Sequence, residues 1–314
     1  MSRRDTLLAL LVALLWGLNF VVIDVGMVGI PPLLFLAVRF VVVVVPAILW
    51  VPRPDASWGT IARVGALMSL GQFGFLYTSM HVGMPPGLAA LVLQAQVLLT
   101  IVIAAGVLRE IPTARQVVGV LVGSVGLGVV AIGRDASTPL LALALCLLAA
   151  LSWAAGNVAA RASGVRGGLS LTVWSALVVP VPAFGLALLV DGPSAVADGI
   201  AAFGWEAAAS TLYTAVLASL VGYGIFNSLL GRYAAGLVVP WILVVPVVGM
   251  TSAWLLQGEA LAPAEVLGGA VLLVGALVAL LPRRGRRPRA AAVQQAPTSP
   301  TSPTSLPDSV NATP

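Results

Sequence analysis

Ten apolar runs of about 20 residues, separated by short segments with charge, proline and glycine, dominate this sequence. A helix of this length spans the hydrocarbon core of a bilayer. Because a lipid-exposed backbone must satisfy its own hydrogen bonds, and barrel strands would alternate apolar and polar residues, each run is predicted to be a helix. The fold class is therefore all-α integral membrane with ten transmembrane helices, and the lipid bilayer surrounds it. The runs are 7–28, 32–51, 61–80, 87–108, 116–132, 139–160, 169–190, 207–230, 236–256 and 263–281.

The remaining composition narrows the class of protein further. Hydrophobic residues make up 60% of the chain and charged residues only 9%, too few to cover a soluble core. All 16 basic residues are arginine, which excludes lysine-dependent phosphate loops and Schiff-base chemistry. The sequence has one cysteine, Cys146, and one histidine, His81, and it lacks HExxH and GxSxG motifs. These features argue against an enzyme, a metal site or a cofactor. The scattered arginines also argue against nucleic acid as a partner.

The distribution of arginine predicts the orientation. If the spans alternate, 14 arginines fall on one side, only Arg134 falls on the other, and Arg39 lies inside a span. Short cytoplasmic loops collect arginine, so both termini are predicted to be cytoplasmic. The 14 residues are Arg3, Arg4, Arg53, Arg63, Arg109, Arg115, Arg161, Arg166, Arg232, Arg283, Arg284, Arg286, Arg287 and Arg289.

An internal repeat divides the chain into two halves. A shift of 149 residues without a gap superposes Gly87 on Gly236, Glu110 on Glu259, Gly119 on Gly268 and Gly126 on Gly275. Each half has five runs, an odd number, so the copies are predicted to cross the membrane in opposite senses, an arrangement typical of alternating access. The predicted domains are therefore two inverted five-helix repeats, 1–134 and 139–282. The Pro/Ser/Thr-rich segment 283–314 is predicted to be a disordered cytoplasmic tail.

Arg39 is the charged residue placed deepest in a run. It lies about seven residues into the second run, about 10 Å deep at the rise of an α-helix. Burial of a guanidinium is costly unless the group is paired or hydrated, so Arg39 is predicted to face a wet cavity and to bind an anionic substrate group. The alternative is that it extends to the outer interface.

Other polar and aromatic residues in the runs are candidates for the same cavity. Three pairs of these residues are spaced three or four apart, so the members of each pair share a helix face: Trp16 with Asn19, Trp153 with Asn157, and Tyr223 with Asn227. The alternatives to a cavity role are tryptophan at the membrane interface and polar side chains that pack between helices.

Gln94 and Gln96 lie mid-run and two residues apart, so at most one of them faces the cavity. Pro240 and Pro246 are predicted to break the ninth run and to free carbonyls for substrate, or only to kink it for packing.

Several short motifs occur along the apolar runs. They are Trp16-Gly17-Leu18-Asn19-Phe20, Pro31-Pro32 with Arg39-Phe40, Gly83-Met84-Pro85 followed by Leu91-Val92-Leu93-Gln94-Ala95-Gln96, Ser152-Trp153, Val221-Gly222-Tyr223-Gly224, and Leu243-Val244-Val245-Pro246-Val247-Val248-Gly249. Together these motifs resemble the EamA-type drug/metabolite transporters, most closely the O-acetylserine/cysteine exporter branch. The resemblance covers about 280 residues, and one departure is Asp24, where relatives often have a lysine near the end of the first helix.

The resemblance implies a secondary transporter that exports small amino-acid-like metabolites across a bacterial cytoplasmic membrane. The expected partners are a small-molecule substrate and lipid, and a second copy of the chain is a candidate partner. The alternatives are a drug/metabolite transporter with another substrate, or a membrane scaffold or sensor that does not transport. A scaffold or sensor predicts a sizeable soluble domain, whereas this sequence offers only short loops and a tail.

Overall fold

The computed structural model describes residues 1–133, 138–165, 168–260 and 262–281. Regular secondary structure in these ranges is helical and includes no strand, as the apolar runs predict. The predicted tail 283–314, Arg134 and Arg166 lie outside the described residues.

Seven α-helices form the first half, and a π-helical segment, Ala66–Gly71, joins the third to the fourth. The helices are α1 (Arg3–Gly26), α2 (Pro32–Trp50), α3 (Trp58–Gly65), α4 (Gln72–His81), α5 (Pro86–Val92), α6 (Ala95–Val107) and α7 (Ala114–Gly133).

The described part of the second half has nine α-helices, a π-helical segment at Tyr213–Gly222 and a 3₁₀ segment at Val239–Val244. The helices are α8 (Leu140–Ala162), α9 (Gly168–Ala176), α10 (Pro180–Val190), α11 (Gly192–Ala201), α12 (Trp205–Leu212), α13 (Tyr223–Arg232), α14 (Ala235–Val238), α15 (Val245–Gln257) and α16 (Pro263–Leu280).

Among the described residues, nine helical segments are long and apolar enough to cross a membrane. The run 61–80 is helical through α3, Ala66–Gly71 and α4, but Arg63 and Gln72 lower its hydropathy, and it is not one of the nine. A tenth span therefore stays a prediction. The nine segments are Arg3–Gly26, Pro32–Trp50, Pro86–Val107, Ala114–Gly133, Leu140–Ala162, Leu169–Val190, Trp205–Arg232, Gly236–Gln257 and Pro263–Leu280.

Local sequence explains where several helices begin. The Ser2 side chain accepts a hydrogen bond from the Asp5 N–H at 3.1 Å and caps α1. Proline is the first residue of α2, α5, α10 and α16, where its missing N–H would have no helical partner in any case.

Irregular helical segments recur at equivalent positions of the two halves. The 149-residue shift moves the π-helical segment 66–71 to 215–220, inside the second π-helical segment. It moves the interruption at Leu93 and Gln94, between α5 and α6, to 242–243, inside the 3₁₀ segment. π-Helical turns cost local stability and are frequent at functional sites, so their recurrence points to a shared role.

The matched glycines of the repeat lie where α7 and α16 cross. A Cβ atom on Gly119 would lie 2.5 Å from the Gly275 carbonyl oxygen, and one on Gly268 would lie 2.7 Å from the Gly126 carbonyl oxygen. Such close approach of two backbones requires small residues. The contact is reciprocal, because Gly119 matches Gly268 and Gly126 matches Gly275 under the shift.

The interior of the bundle is centred on α5, whose seven residues are all buried. Cys146 of α8 is fully buried against it, with its Sγ 3.7 Å from the Ala89 carbonyl oxygen. The central helices are therefore fixed by packing, while α7 and α16 lie nearer the surface.

Candidate functional site

A central cavity lies between helices of both halves. Side chains of α1, α2, α4, α5 and α8 line it, together with residues of the second π-helical segment, α13, the 3₁₀ segment and α15. The lining residues are Trp16, Asn19, Phe20, Arg39, Gln72, Phe73, Leu76, Ala90, Leu93, Gln94, Trp153, Ala218, Tyr223, Ile242 and Val245.

Arg39 is the cationic group of this cavity and is only 2% exposed. Its guanidinium donates to the Tyr77 hydroxyl at 2.5 Å and to the Ser219 hydroxyl at 3.1 Å, and Cζ lies 4.3 Å from the centre of the Phe73 ring. It forms no ion pair with another described residue, and its Nε has no hydrogen-bond partner there. Neutral groups therefore surround the positive charge.

Trp16 and Tyr223 form an aromatic wall. Their ring centres are 5.0 Å apart, and the Trp16 indole N–H donates to the Ala218 carbonyl at 2.8 Å. Ala218 lies in the second π-helical segment, so the irregular backbone provides a carbonyl that fixes the indole. Trp153 of α8 also lines the cavity.

Three buried amide side chains contribute oxygen atoms without partners among the described residues: Asn19, Gln72 and Gln94. Gln94 donates from Nε2 to the Ile242 carbonyl at 2.8 Å, which fixes the amide orientation and leaves Oε1 as the unpartnered acceptor. A buried polar atom without a partner costs about 1–3 kcal/mol, which a bound ligand can offset.

The other candidate residues lie away from this cavity. Asn157 donates to Gln96 Oε1 at 3.2 Å, so these two amides join α8 to α6. Asn227 donates to the Tyr223 carbonyl within its own helix. Pro240 lies in the 3₁₀ segment and Pro246 in the first turn of α15, on either side of the Ile242 carbonyl that Gln94 occupies.

Four residues around Arg39 are absent from the candidates that the sequence provides: Gln72, Phe73, Tyr77 and Ser219. Gln72 is an amide inside an apolar run, the same signal that singles out Gln94. The role of Ser219 has no local signal, because it depends on the packing of the second π-helical segment against α2.

Polar contacts also join the two halves at both ends of the bundle. At the end that holds the start of α1, Asp5 accepts hydrogen bonds from Arg232 at 2.8 Å and from the Tyr233 hydroxyl at 2.6 Å. At the same end, Arg161 pairs with Glu110 at 2.9 Å, with both side chains about half exposed.

At the opposite end, Glu259 caps the start of α5. Its carboxylate accepts hydrogen bonds from the backbone N–H groups of Gly87 at 2.9 Å and Leu88 at 3.2 Å. Burial raises the pKa of the Glu259 carboxyl above its ordinary value, and the two N–H groups lower it in part. Nearby, Gln257 donates to Asp24 at 2.7 Å.

A second cavity shares Phe73 and Tyr223 with the first. It is lined by Ser69, Thr172 and Ser175 and lies between α9 and the π-helical segment 66–71. The described residues contain no group of three histidine, cysteine, aspartate or glutamate side chains placed to hold a metal ion.

A helical membrane bundle with a central cavity, a buried cation and polar contacts at both ends defines a membrane transporter. Two matches to the EamA-like transporter family, at residues 5–132 and 140–281, extend over most of the chain. The protein belongs to the EamA-like transporter family.

Curated relatives agree with the family. A probable amino-acid metabolite efflux pump of Escherichia coli (strain K12) is 38% identical over 295 residues, covering 91% of this chain and 98% of the relative. A protein of the same description from Salmonella typhimurium is 39% identical over 294 residues, with the same coverage. An uncharacterized transporter of Bacillus subtilis is 26% identical over 302 residues, covering 93% of this chain and 95% of that protein.

A solved crystal structure superposes on this protein with a TM-score of 0.60 and a sequence identity of 20%. The match covers 89% of this chain and 97% of the other, so the two proteins share a fold. The protein is accordingly a multi-pass inner-membrane transporter of a small molecule, and the family points to transport rather than to enzymatic catalysis.

Proposed function

We propose that the protein is a secondary transporter that exports small amino-acid-like metabolites of the O-acetylserine/cysteine class by alternating access. The observation that carries the proposal is Arg39, a buried guanidinium on the wall of the central cavity without a carboxylate partner among the described residues. Its planar fork suits a substrate carboxylate. The description of two relatives as probable amino-acid metabolite efflux pumps supports the substrate class.

Alternating access requires two halves that can exchange roles. The recurrence of the π-helical and interrupted segments after 149 residues, and the reciprocal glycine contacts of α7 and α16, support two inverted five-helix repeats at 1–134 and 139–282. Contacts between the halves at both ends of the bundle are suited to alternate closure. In this mechanism the Glu259 contact closes the outer end and the Asp5 contact closes the inner end.

The orientation belongs to the proposal as well. The arginine distribution supports cytoplasmic termini, which places Asp5, Glu110 and the second cavity towards the cytoplasm and Glu259 towards the outside. The second cavity then lies on the cytoplasmic side of the central cavity, where a path for substrate opens when the Asp5 contact breaks. A homodimer stays a prediction.

Flux of radiolabelled L-cysteine and O-acetyl-L-serine into proteoliposomes, with and without a pH gradient, tests the proposal. Arg39→Ala is expected to abolish flux, and Arg39→Lys to keep part of it, because lysine retains the charge but loses the planar fork. Size-exclusion profiles in detergent check that both variants fold. Equal flux in Arg39→Ala and in the native protein would exclude the carboxylate role, and no flux of any amino acid would exclude the substrate class.

A further inference from the structure

The central cavity pairs one cation with several unsatisfied acceptors. Within the described ranges, the side chains that keep a buried polar atom without a hydrogen-bond partner are Asn19, Arg39, Gln72, Gln94, Asp191 and Thr211. Four of these six line the central cavity. The unpartnered atoms are an N–H donor at Arg39 and amide oxygens at the other three.

Gln94 carries the argument furthest. Its Nε2 is occupied by the Ile242 carbonyl, so the side chain cannot turn its amide without losing that bond, and its Oε1 is a buried acceptor on a residue that lines the cavity. The helix is interrupted at Leu93 and Gln94, and Ile242 belongs to the matched 3₁₀ segment. One hydrogen bond therefore joins the two interrupted segments.

This arrangement selects a ligand by its charges. A simple cation would be repelled by Arg39, and a simple anion would leave the amide oxygens unsatisfied. We infer that the cavity recognises a zwitterion, with its carboxylate at Arg39 and its ammonium group at the amide oxygens of Gln94, Gln72 and Asn19.

An ammonium group brings three N–H donors, which matches three acceptors, and the Trp16, Trp153 and Tyr223 rings add cation–π attraction. The inference rests on the proposed function and adds the recognition of the amino group and the role of Gln72.

Three related compounds separate the contributions. L-cysteine carries both groups, 2-hydroxy-3-mercaptopropanoate lacks the ammonium group, and cysteamine lacks the carboxylate. For the native protein in proteoliposomes, L-cysteine flux is expected to exceed the flux of each of the other two about tenfold or more, because each missing group leaves buried protein atoms unpaired.

Gln94→Met and Gln72→Met remove acceptors at similar side-chain size. Each is expected to lower the preference for L-cysteine over the hydroxy acid about tenfold, while the preference over cysteamine, which depends on Arg39, persists. Gln96→Met is the matched control, because Gln96 lies two residues away and bonds to Asn157 instead of lining the cavity. It should keep the native preference.

Preferences are ratios, so they do not depend on how much of a variant folds. Equal flux of L-cysteine and the hydroxy acid by the native protein would overturn the zwitterion inference and leave the proposed export function standing. An unchanged preference in both Gln94→Met and Gln72→Met would overturn the assignment of these residues. Absence of flux for any amino acid would instead overturn the proposed function, and the inference with it.

Discussion

Replacement of Gly119 by alanine tests the close packing of α7 against α16. The new Cβ would lie 2.5 Å from the Gly275 carbonyl oxygen and 2.7 Å from the Ala279 backbone nitrogen. Ordinary contact begins at 3.4 Å, so the helices must separate by about 0.9 Å. Because the opposing atoms belong to backbone, no side-chain rotation relieves the overlap.

The magnitude follows from two opposing effects. Overpacking costs about 1–3 kcal/mol, and backbone overlap places this site at the upper end. Alanine in a helix gains about 1 kcal/mol over glycine, so Gly119→Ala should lose about 2 kcal/mol net. Gly128, on the same helix, has nothing within 4 Å of its virtual Cβ, so Gly128→Ala should gain about 0.5–1 kcal/mol.

Thermal unfolding in a mild detergent, followed by tryptophan fluorescence, measures this difference. Gly119→Ala should melt about 4 °C below the native protein, whereas Gly128→Ala should melt at or above the native temperature. Gly268→Ala, the matched position on α16, meets the Gly126 oxygen and the Val130 nitrogen and should behave like Gly119→Ala. If both variants melt together with Gly128→Ala, the two backbones do not approach as closely as described.

Three further perturbations test the site and its ends. Asp5→Asn should lower the melting temperature because the carboxylate is buried and receives several hydrogen bonds, while Glu110→Gln, in an exposed ion pair, should hardly change it. Tyr77→Phe removes a hydroxyl that accepts from Arg39, and substrate KM in proteoliposome flux should change several-fold with expression preserved. Burial raises the pKa of Glu259, so a proton binds more tightly in this arrangement than in water. If the Glu259 contact closes the outer end as proposed, acidification outside should favour outer closure in spin-label distances, and Glu259→Gln should abolish that dependence.

Much of the fold follows from the sequence because lipid leaves the backbone few alternatives. The lengths of the apolar runs predict the long helices and their order along the chain, and the positions of proline predict where several of them begin. Helix α11 and the π-helical segments were not predicted, since their stability depends on tertiary contacts such as Gly199 against Pro31. A π-helical turn within an apolar run leaves no periodic pattern in the sequence by which it could be predicted.

The candidate site was predictable in part. Burial of Arg39 follows from its depth in the second run. Gln94 lines the cavity and Gln96 bonds to Asn157, although the helix is interrupted next to them and the spacing on a continuous helix does not apply directly. Which of the two glutamines faces the cavity depends on how the helix is rotated about its axis. The sequence does not determine this rotation, because the residues around both glutamines are apolar on every side. Asn157 shares a face with Trp153 but lies about 6 Å further along α8, enough to contact Gln96 instead of the cavity.

The position of Cys146 has a practical consequence for measuring motion in this transporter. It is the only cysteine in the sequence, and its thiol is enclosed between α8 and α5 with no exposed surface. Thiol-directed probes would therefore attach only to cysteines introduced on the surface, and the native residue can stay in place. Labels introduced at the two ends can then test the proposed opening and closing by spectroscopy in a protein whose interior packing is unaltered.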